Sequence, residues 1–348
     1  MNIDRCGVID LFCGVGGLTH GFVLEGVNVI AGIDVDASCS YAYEVNNNAT
    51  FINQDVGSLQ ADHIKTLFSD VDIKILVGCA PCQPFSQYSG KNARQNSDWE
   101  LVGVFANLIE QVEPEVVSME NVPRLQHHDI FYKFKDRLDR LGYKVFSKVI
   151  YGPDYGLPQE RERLILLASR LGEIEIISKT HSLSEYKTVR DVIEQMPCLG
   201  AGEICENDRL HICSRLSEKN LERIRVSKPG GTWHEWPSQL RAACHSKDSG
   251  KGYVGVYGRM EWDRPSPTIT TQFFGYGNGR FGHPTQDRAI SLREGALLQT
   301  FPQAYKFVHP DDPLHIKSVG RHIGNAVPVA LGQVIAKSIS IHLDGANN

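Results

Sequence analysis

The chain has 348 residues, of which 41% are hydrophobic and 22% are charged, and its formal net charge at pH 7 is −5. This length and composition are typical of a globular protein with two domains, and they exclude a fibrous repeat, a disulfide-stapled miniprotein and a largely disordered chain. The weak negative charge argues against a histone-like binder. It leaves room for nucleic acid, because a local basic face is enough to bind it.

The cysteine content and the N-terminus indicate the compartment. Nine cysteines are an odd number, and the first residues lack the basic region and the small-residue cleavage site of a secretory signal peptide. A run of about 18 apolar residues, which a spanning helix needs, is not found, and the best candidate, 327–343, is predicted to be an amphipathic helix. We therefore expect free thiols and a reducing compartment.

Strands and helices alternate along the first half of the sequence. Apolar runs predict strands over 7–12, 27–34, 73–80, 115–121 and 163–169. Helical spacing follows the first two strands and recurs over 101–112 and 131–141. This alternation predicts an α/β fold with a mostly parallel, doubly wound sheet of the Rossmann-like type, in which ligands bind at the carboxyl ends of the strands.

The alternation fades after about residue 172. The following region is irregular, and within it residues 215–259 carry an excess of Lys and Arg over Asp and Glu. We predict a first domain of residues 1–172 plus 318–348 and a smaller, irregular domain of residues 173–317. A charge run is more often a solvated face than a binding site, so the basic excess alone is weak evidence for nucleic acid.

A glycine-rich turn follows the first predicted strand. Adjacent glycines in the run Phe12–Gly17 would let the backbone approach a nucleotide closely, and Asp34, at the end of the next strand, could accept hydrogen bonds from ribose hydroxyls. The pattern departs from the glycine motif that seats a pyrophosphate, so it favours S-adenosylmethionine over NAD. A simple tight turn is the alternative.

Two further predicted strand ends carry a thiol and a carboxyl group. Cys82 lies between two prolines in a stiff turn, as a nucleophile would, although a buried Cys or a redox pair with Cys79 is also compatible with the sequence. Glu120 ends the fourth predicted strand. Such a pair suits covalent catalysis on an electron-poor ring, in which the thiol adds and the acid protonates a ring nitrogen. Arg161 and Arg163 alternate in an extended segment and could bind phosphate, orient an acid or form a solvated cluster.

Six sequence blocks together resemble the cytosine-C5 DNA methyltransferase family. In order, they are FCGVGG, PCQPFS, ENV, QERER, RPSPTITT and GNAVP. The resemblance covers roughly residues 7–170 and 259–343, and it leaves about 175–258 in the position of the family's target-recognition region. It implies a bacterial or phage modification enzyme that methylates C5 of a flipped cytosine in duplex DNA, alongside a restriction endonuclease acting separately. We accordingly expect a monomer in the bacterial cytoplasm, associated with the nucleoid while it acts. A tRNA cytosine-C5 methyltransferase and a non-enzymatic nucleic-acid-binding module are the alternatives.

The resemblance also implies roles for single residues. Cys82 resembles the nucleophile that attacks C6, Glu120 the acid that contacts the base, and Arg161 and Arg163 the arginines that support base and carboxylate. The positions that match the S-adenosylmethionine site are Phe12, Gly14, Gly16, Gly17, Asp34, Asp55, Val56, Pro81, Leu101 and Asn325.

DNA contacts are expected from the segment that follows Cys82 and from the region between about 241 and 280. The polar stretch 86–97 is predicted to be a mobile lid. The expected DNA-binding residues are Gln83, Ser86, Lys91, Arg94, Arg241, Arg259 and Arg280. No metal site is predicted, because the Cys and His residues between 198 and 245 have irregular spacing. Trp233 and Trp236 are predicted to pack a small core rather than to stack on bases.

Overall fold

A computed structural model describes residues 6–81, 97–247 and 252–345. The strands are β1 Cys6–Leu11, β2 Val29–Asp34, β3 Thr50–Asn53, β4 Ile73–Gly78, β5 Val116–Asn121, β6 Lys144–Tyr151, β7 Gln159–Glu160, β8 Glu162–Ser169, β9 Ile204–Cys205, β10 Asp208–Ile212 and β11 Ser266–Pro267. The helices are α1 Gly17–Leu24, α2 Ser40–Asn47, α3 Ala61–Leu67, α4 Ser97–Val112, α5 Asp129–Arg140, α6 Val189–Ile193, α7 Glu218–Val226, α8 Leu292–Leu298, α9 Ile316–Asn325 and α10 Val329–Gly345.

The described residues divide into two compact units. The first unit contains the residues up to Tyr155, the segment Glu162–Thr180 and the residues from Val327 onward. The second unit contains Gly156–Arg161 and His181–Ala326. The glycine turn and Glu120 therefore belong to the first unit, and Arg161 belongs to the second.

The first unit is built on a seven-stranded sheet in the order β3-β2-β1-β4-β5-β8-β6. Strands β1 to β5 pair in parallel, whereas β8 is antiparallel to both β5 and β6. The predicted α/β fold with a mostly parallel sheet is confirmed. Strand order reverses between β1 and β4, and such a switch point opens a crevice at the carboxyl ends of the two strands.

The sheet core explains why the central strands are nearly continuous apolar runs. Ile9, Leu76 and Val117, on three neighbouring strands, are fully buried. Helices α4 and α5 pack together through Phe105 and Phe134, whose ring centroids lie 5.8 Å apart. A parallel sheet covered on both faces requires such uninterrupted apolar strands.

Two glycines bring α1 and α10 into close contact. A Cβ atom built on Gly21 would lie 2.4 Å from the backbone carbonyl carbon of Gly332, and one built on Gly332 would lie 2.7 Å from the carbonyl oxygen of Leu18. Since these neighbours are backbone atoms, a side chain at either position would push the two helices apart.

Gly21→Ala should therefore lower the free energy of unfolding by about 1–3 kcal/mol, the usual cost of overpacking. Gly103→Ala is the matched control, because Gly103 lies within α4 with open space around its Cβ position. That control should be neutral or stabilising by about 0.5–1 kcal/mol through helix propensity. Thermal unfolding of both variants measures the difference, and equal melting temperatures would contradict the packing argument.

The second unit combines short elements with small cores. Trp233, Trp236 and Leu240 form one apolar cluster, which confirms the prediction that the tryptophans pack. Elsewhere in this unit the fully buried Arg288 and Glu294 form a bidentate ion pair with two N–O distances of 2.7 Å. Buried ionic groups of this kind must be paired, because an isolated charge in an apolar interior is strongly unfavourable.

One stretch of the chain resembles a membrane span by length and composition. Ile316–Gly345, which contains α9 and α10, has a mean hydropathy of 1.4 in its most apolar window, and 61% of that window is buried. The core helices of globular proteins have the same properties, so this resemblance is weak evidence for a membrane.

Candidate active site

The turn after β1 has the backbone geometry that its glycines predict. Phe12, Gly14 and Gly16 have positive φ angles of 61°, 51° and 84°. The Gly14 amide donates to Oδ2 of Asp34 at 2.9 Å, and the Asp36 amide donates to the other carboxylate oxygen at 2.9 Å. Asp34 therefore fixes the turn, in addition to any contact with a ligand.

The surroundings of this turn fit the nucleoside part of S-adenosylmethionine. A Cβ atom on Gly14 would meet no atom within 4 Å, so there is open space where a ligand could approach the backbone. A carboxylate has about four acceptor sites, and the two backbone bonds leave room on Asp34 for ribose hydroxyls. The neighbouring Val35 is 69% exposed and presents an apolar surface. Sequence reasoning missed Val35, although its place directly after a strand-end carboxylate was a usable signal.

The other predicted cofactor residues have different surroundings. Asp55 is exposed, and its Oδ1 accepts the Gly57 amide at 2.8 Å, which caps a short turn. Val56 is only 2% exposed and packs in the apolar core of the first unit, so little of its side chain can face an adenine. Pro81 and Leu101 are half-buried, whereas Gly16 and Gly17 are buried. Asn325 is exposed at the end of α9, in the second unit.

Asp10 is a buried carboxyl group beside the glycine turn that the sequence analysis overlooked. It is 1% exposed, and Oγ1 of Thr19 donates to its Oδ2 at 2.7 Å. The same hydroxyl lies 3.0 Å from the Tyr43 hydroxyl, so the network links β1, α1 and α2. Burial raises the pKa of Asp10 to about 7, although the Thr19 hydrogen bond acts in the opposite direction. Asp10 is therefore protonated in the folded protein at mildly acidic pH.

This raised pKa predicts a pH-dependent stability. Between the ordinary value of 3.8 and about 7, the folded protein holds a proton on Asp10 that the unfolded chain releases. The contribution of Asp10 to stability is thus fully present below pH 3.8 and is lost as the pH rises through about 7.

Asp10→Asn should abolish this pH dependence, because Asn cannot ionise but can still accept the Thr19 hydrogen bond. The free energy of unfolding of the wild type, relative to that of the variant, should fall between pH 5 and 8 by an amount on the order of a few kcal/mol. Melting temperatures measured across this range follow the change. Asp62→Asn, at a 94% exposed side chain, is the control. If the melting temperatures of the wild type and Asp10→Asn changed with pH in the same way, the raised pKa of Asp10 would be contradicted.

Glu120 lies at the carboxyl end of β5, next to the end of β4. It is 2% exposed. Nε of Arg163 lies 2.7 Å from its Oε1, and Sγ of Cys79 donates to its Oε2 at 2.7 Å. The structure thus brings together Glu120 and Arg163, two of the predicted catalytic residues. Cys79 packs against the carboxylate instead of pairing with a second cysteine in the described part of the chain.

The next residue ties the same two strands together. Nδ2 of Asn121 donates to the carbonyl oxygen of Ala80 at 3.0 Å, and Oδ1 of Asn121 accepts the Val122 amide at 2.8 Å. Ala80 lies two residues before Cys82 in the sequence, and this contact holds it beside the end of β5. Cys82 itself lies outside the described residues, as do Gln83, Ser86, Lys91, Arg94 and most of the predicted lid.

Arg161 is buried in the second unit. Its Nη1 donates to the carbonyl oxygen of Ile269 at 3.1 Å and to Oε1 of Gln159 at 3.3 Å. The structure therefore joins the QERER block to the RPSPTITT block. Arg161 and Arg163, which the sequence pattern placed on one side of one segment, belong to different compact units.

The predicted DNA-reading arginines differ in their surroundings. Arg259 is 5% exposed, and its Nε and Nη2 donate to the Ile224 carbonyl at 3.1 and 2.9 Å. Its Nη1 donates to the His283 and Gln286 carbonyls, and its Nη2 also pairs with Asp287. These contacts make Arg259 a packing residue with no donor left for a base edge, which corrects the interpretation from sequence.

Arg241 and Arg280 are more exposed than Arg259, so part of each side chain is accessible to DNA. Arg241 is exposed, although its Nη2 donates to the His234 carbonyl at 2.7 Å. Arg280 is half-buried, and its Nη1 donates to the Gly231 carbonyl at 2.7 Å. The exposed cations of this region are Arg215, Lys219, Arg225, Lys228, Arg241 and Lys247. Two of these cations lie near carboxylates, because Arg225 is 3.6 Å from Asp287 and Lys228 is 3.9 Å from Glu235.

Solved structures place this fold among methyltransferases. A prophage-encoded Escherichia coli chain described as a DNA modification methyltransferase matches with a TM-score of 0.74 and 22% identity, over 97% of this chain and 99% of that one. Spodoptera frugiperda Dnmt2, in the form of a triple mutant, matches with a TM-score of 0.65 and 18% identity, over 96% and 99%. At these identities the likeness establishes the fold.

Sequence comparison narrows the class to one family. The model of the family "C-5 cytosine-specific DNA methylase" matches residues 6–341. The Type II methylase M.HgiDII of Herpetosiphon aurantiacus is 55% identical over 341 residues, covering 97% of this chain and 96% of the relative. The Type II methyltransferase M1.HphI of Haemophilus parahaemolyticus is 31% identical over 342 residues, covering 95% and 86%. The chain belongs to the C-5 cytosine-specific DNA methylase family and is a DNA (cytosine-5)-methyltransferase, as the six blocks predicted.

Proposed function

We propose that this enzyme transfers the methyl group of S-adenosylmethionine to C5 of a flipped cytosine, at a specific site in duplex DNA, through a covalent bond between Cys82 and C6. The observation that carries the proposal is the buried Glu120, held by Arg163 at the end of β5 beside the end of β4, which Cys82 follows four residues later in the sequence. A thiol and a carboxyl group at adjoining strand ends can act on the same ring.

Each residue has a defined task in this chemistry. C5 of cytosine is a poor nucleophile, and addition of the Cys82 thiolate to C6 turns the ring into an enamine whose C5 is nucleophilic. Glu120 supplies the proton that N3 gains during this addition, and Arg163 orients its carboxyl group. S-adenosylmethionine, when bound, supplies an electrophilic methyl group on a sulfonium. Loss of the C5 proton to a base, departure of the Cys82 sulfur from C6 as a thiolate, and return of the N3 proton to the Glu120 carboxylate then restore the ring and the starting enzyme.

The first unit would bind the cofactor at the glycine turn. In this proposal Asp34 accepts from the ribose hydroxyls and Val35 covers a face of the adenine. Gly14 leaves the space in which the ligand approaches the backbone. The predicted domain of residues 173–317 would recognise the target, with its exposed cations on phosphates and only some of them reading base edges.

The cellular setting is also part of the proposal. Relatives that match most of this chain are named as Type II enzymes. We infer a modification enzyme that acts as a monomer in the bacterial cytoplasm and protects DNA from a separate restriction endonuclease.

The target base lies inside a duplex, so it must first be flipped out at a cost of a few kcal/mol.

Bisulfite sequencing of DNA from cells that express the protein tests this function. We expect full protection of one cytosine within one short recurring sequence. The tRNA alternative predicts no protected cytosine in DNA and transfer of tritiated methyl groups to tRNA, a result that would overturn the proposal.

Glu120→Gln should reduce kcat by about 10²–10⁴, the usual contribution of a positioned acid, because an amide cannot protonate N3. Cofactor affinity should remain at the wild-type level. Glu113→Gln, at an exposed side chain just before β5, is the isosteric control. Methyl-transfer kinetics with both variants measure the effect, and a Glu120→Gln enzyme with wild-type kcat would remove Glu120 from the mechanism.

Asp34→Ala should weaken S-adenosylmethionine binding by about 1.5–3 kcal/mol, the value of a charge-assisted hydrogen bond. DNA affinity should change much less. Calorimetric titration with S-adenosylhomocysteine measures the loss, with Asp62→Ala as a surface control. Unchanged affinity in Asp34→Ala would move the ribose contact to another residue.

A further inference from the structure

Two buried glutamines in the second unit form a side-chain pair that the proposed chemistry does not use. Nε2 of Gln159 donates to Oε1 of Gln299 at 2.9 Å, and both residues are completely buried. A primary amide has distinct donor and acceptor ends, so the orientation of one side chain determines the orientation of the other.

The Gln159 end of the pair holds Arg161. Oε1 of Gln159 accepts from the Ile269 amide at 2.8 Å and from Nη1 of Arg161 at 3.3 Å. Its Nε2 also donates to the Leu298 carbonyl at 3.1 Å. Arg161, which also donates to the Ile269 carbonyl, is thus oriented through Gln159 and the segment that begins at Ile269.

The Gln299 end holds the last turn of α9. Its Nε2 donates to the carbonyl oxygens of Ile323 at 2.7 Å and Ala326 at 3.2 Å. These carbonyls belong to the end of the helix, where backbone acceptors have no partner within the helix. Asn325, the proposed cofactor residue, lies between them. Gly324 also abuts the segment after Ile269, because a Cβ atom there would lie 2.4 Å from the carbonyl carbon of Thr270.

We propose that Gln159 and Gln299 form one positioning element of the second unit, which orients both Arg161, to which the family resemblance assigns support of the base, and Asn325, to which it assigns contact with the cofactor. This inference rests on the proposed function, since the roles that the family resemblance implies for Arg161 and Asn325 belong to the same reaction. Neither glutamine contacts a ligand in this proposal. Disturbing either one should therefore change both the binding of the cofactor and the rate of methyl transfer.

Isosteric Gln→Glu variants distinguish the hydrogen bonds made by Gln159 from those made by Gln299. Gln299→Glu keeps the acceptor for Gln159, but it replaces the donor that faces the Ile323 and Ala326 carbonyls with an oxygen. Gln159→Glu keeps the acceptor for Arg161 and the Ile269 amide, but it loses the donors to Gln299 and Leu298. Gln159→Met is an uncharged variant of similar length that loses all of these bonds. Gln60→Glu makes the same chemical change at an exposed position of the first unit and is the control.

The experiment combines calorimetric titration with S-adenosylhomocysteine and tritium-transfer kinetics, at a temperature where melting curves show each variant folded. We expect at least a tenfold rise in Kd and at least a tenfold fall in kcat in each of the three single variants. The double variant Gln159→Met/Gln299→Glu, which avoids two adjacent buried carboxylates, should be no worse than the worse of its two single variants, because coupled residues are not additive. Gln60→Glu should match the wild type.

Three results would overturn the inference. They are wild-type Kd and kcat in a folded Gln159→Met or Gln299→Glu enzyme, a change in only one of Kd and kcat, or strictly additive losses in the double variant. Variants that unfold are replaced by Gln159→Met in the same assays, and an active, wild-type-like Gln159→Met enzyme again contradicts the inference. A wild-type protein that methylates no DNA is a different outcome, because it contradicts the proposed function itself.

Discussion

The parallel pairing of β4 with β5 is the constraint on which the site depends. The two strands run in register, with Gly78 opposite Met119, so the residues that follow them leave the sheet side by side. Cys79 then contacts Glu120, and Asn121 binds the carbonyl of Ala80. These contacts fix a buried carboxylate beside Cys79 and Ala80, and a slip in register would separate the two strand ends.

Features that depend on local sequence were predictable. Two local patterns located the strand ends, namely a strand followed by adjacent glycines and an apolar run that ends in a thiol or carboxyl group. They pointed to one site because the carboxyl ends of parallel strands lie at the same edge of a sheet. The turn at Gly14 and the contact between Glu120 and Arg163 agree with that reasoning. The tryptophans of the second unit pack, as expected for large apolar side chains.

Features that depend on contacts distant in sequence were not predictable. A basic run cannot distinguish an arginine that faces solvent from one that packs a core, and Arg223 and Arg259 are both buried. Arg223 lies over the ring of Tyr257, with its guanidinium carbon 5.1 Å from the ring centroid. Likewise, Gln159 and Gln299 are 140 positions apart, so only the fold shows that they form a pair. The pKa of Asp10 also follows from burial, which no local pattern reveals.

Trapping with 5-fluorocytosine tests the central claim most directly, namely that Cys82 and Glu120 act together on one ring. Fluorine at C5 cannot be lost as a proton, so the enzyme should remain bonded to duplex DNA that carries the analogue at the target cytosine. In the presence of S-adenosylmethionine, we expect a denaturation-resistant adduct with the wild-type protein, much slower adduct formation with Glu120→Gln, and none with Cys82→Ser. An adduct of normal yield with Cys82→Ser, or none with an active wild-type enzyme, would contradict the account.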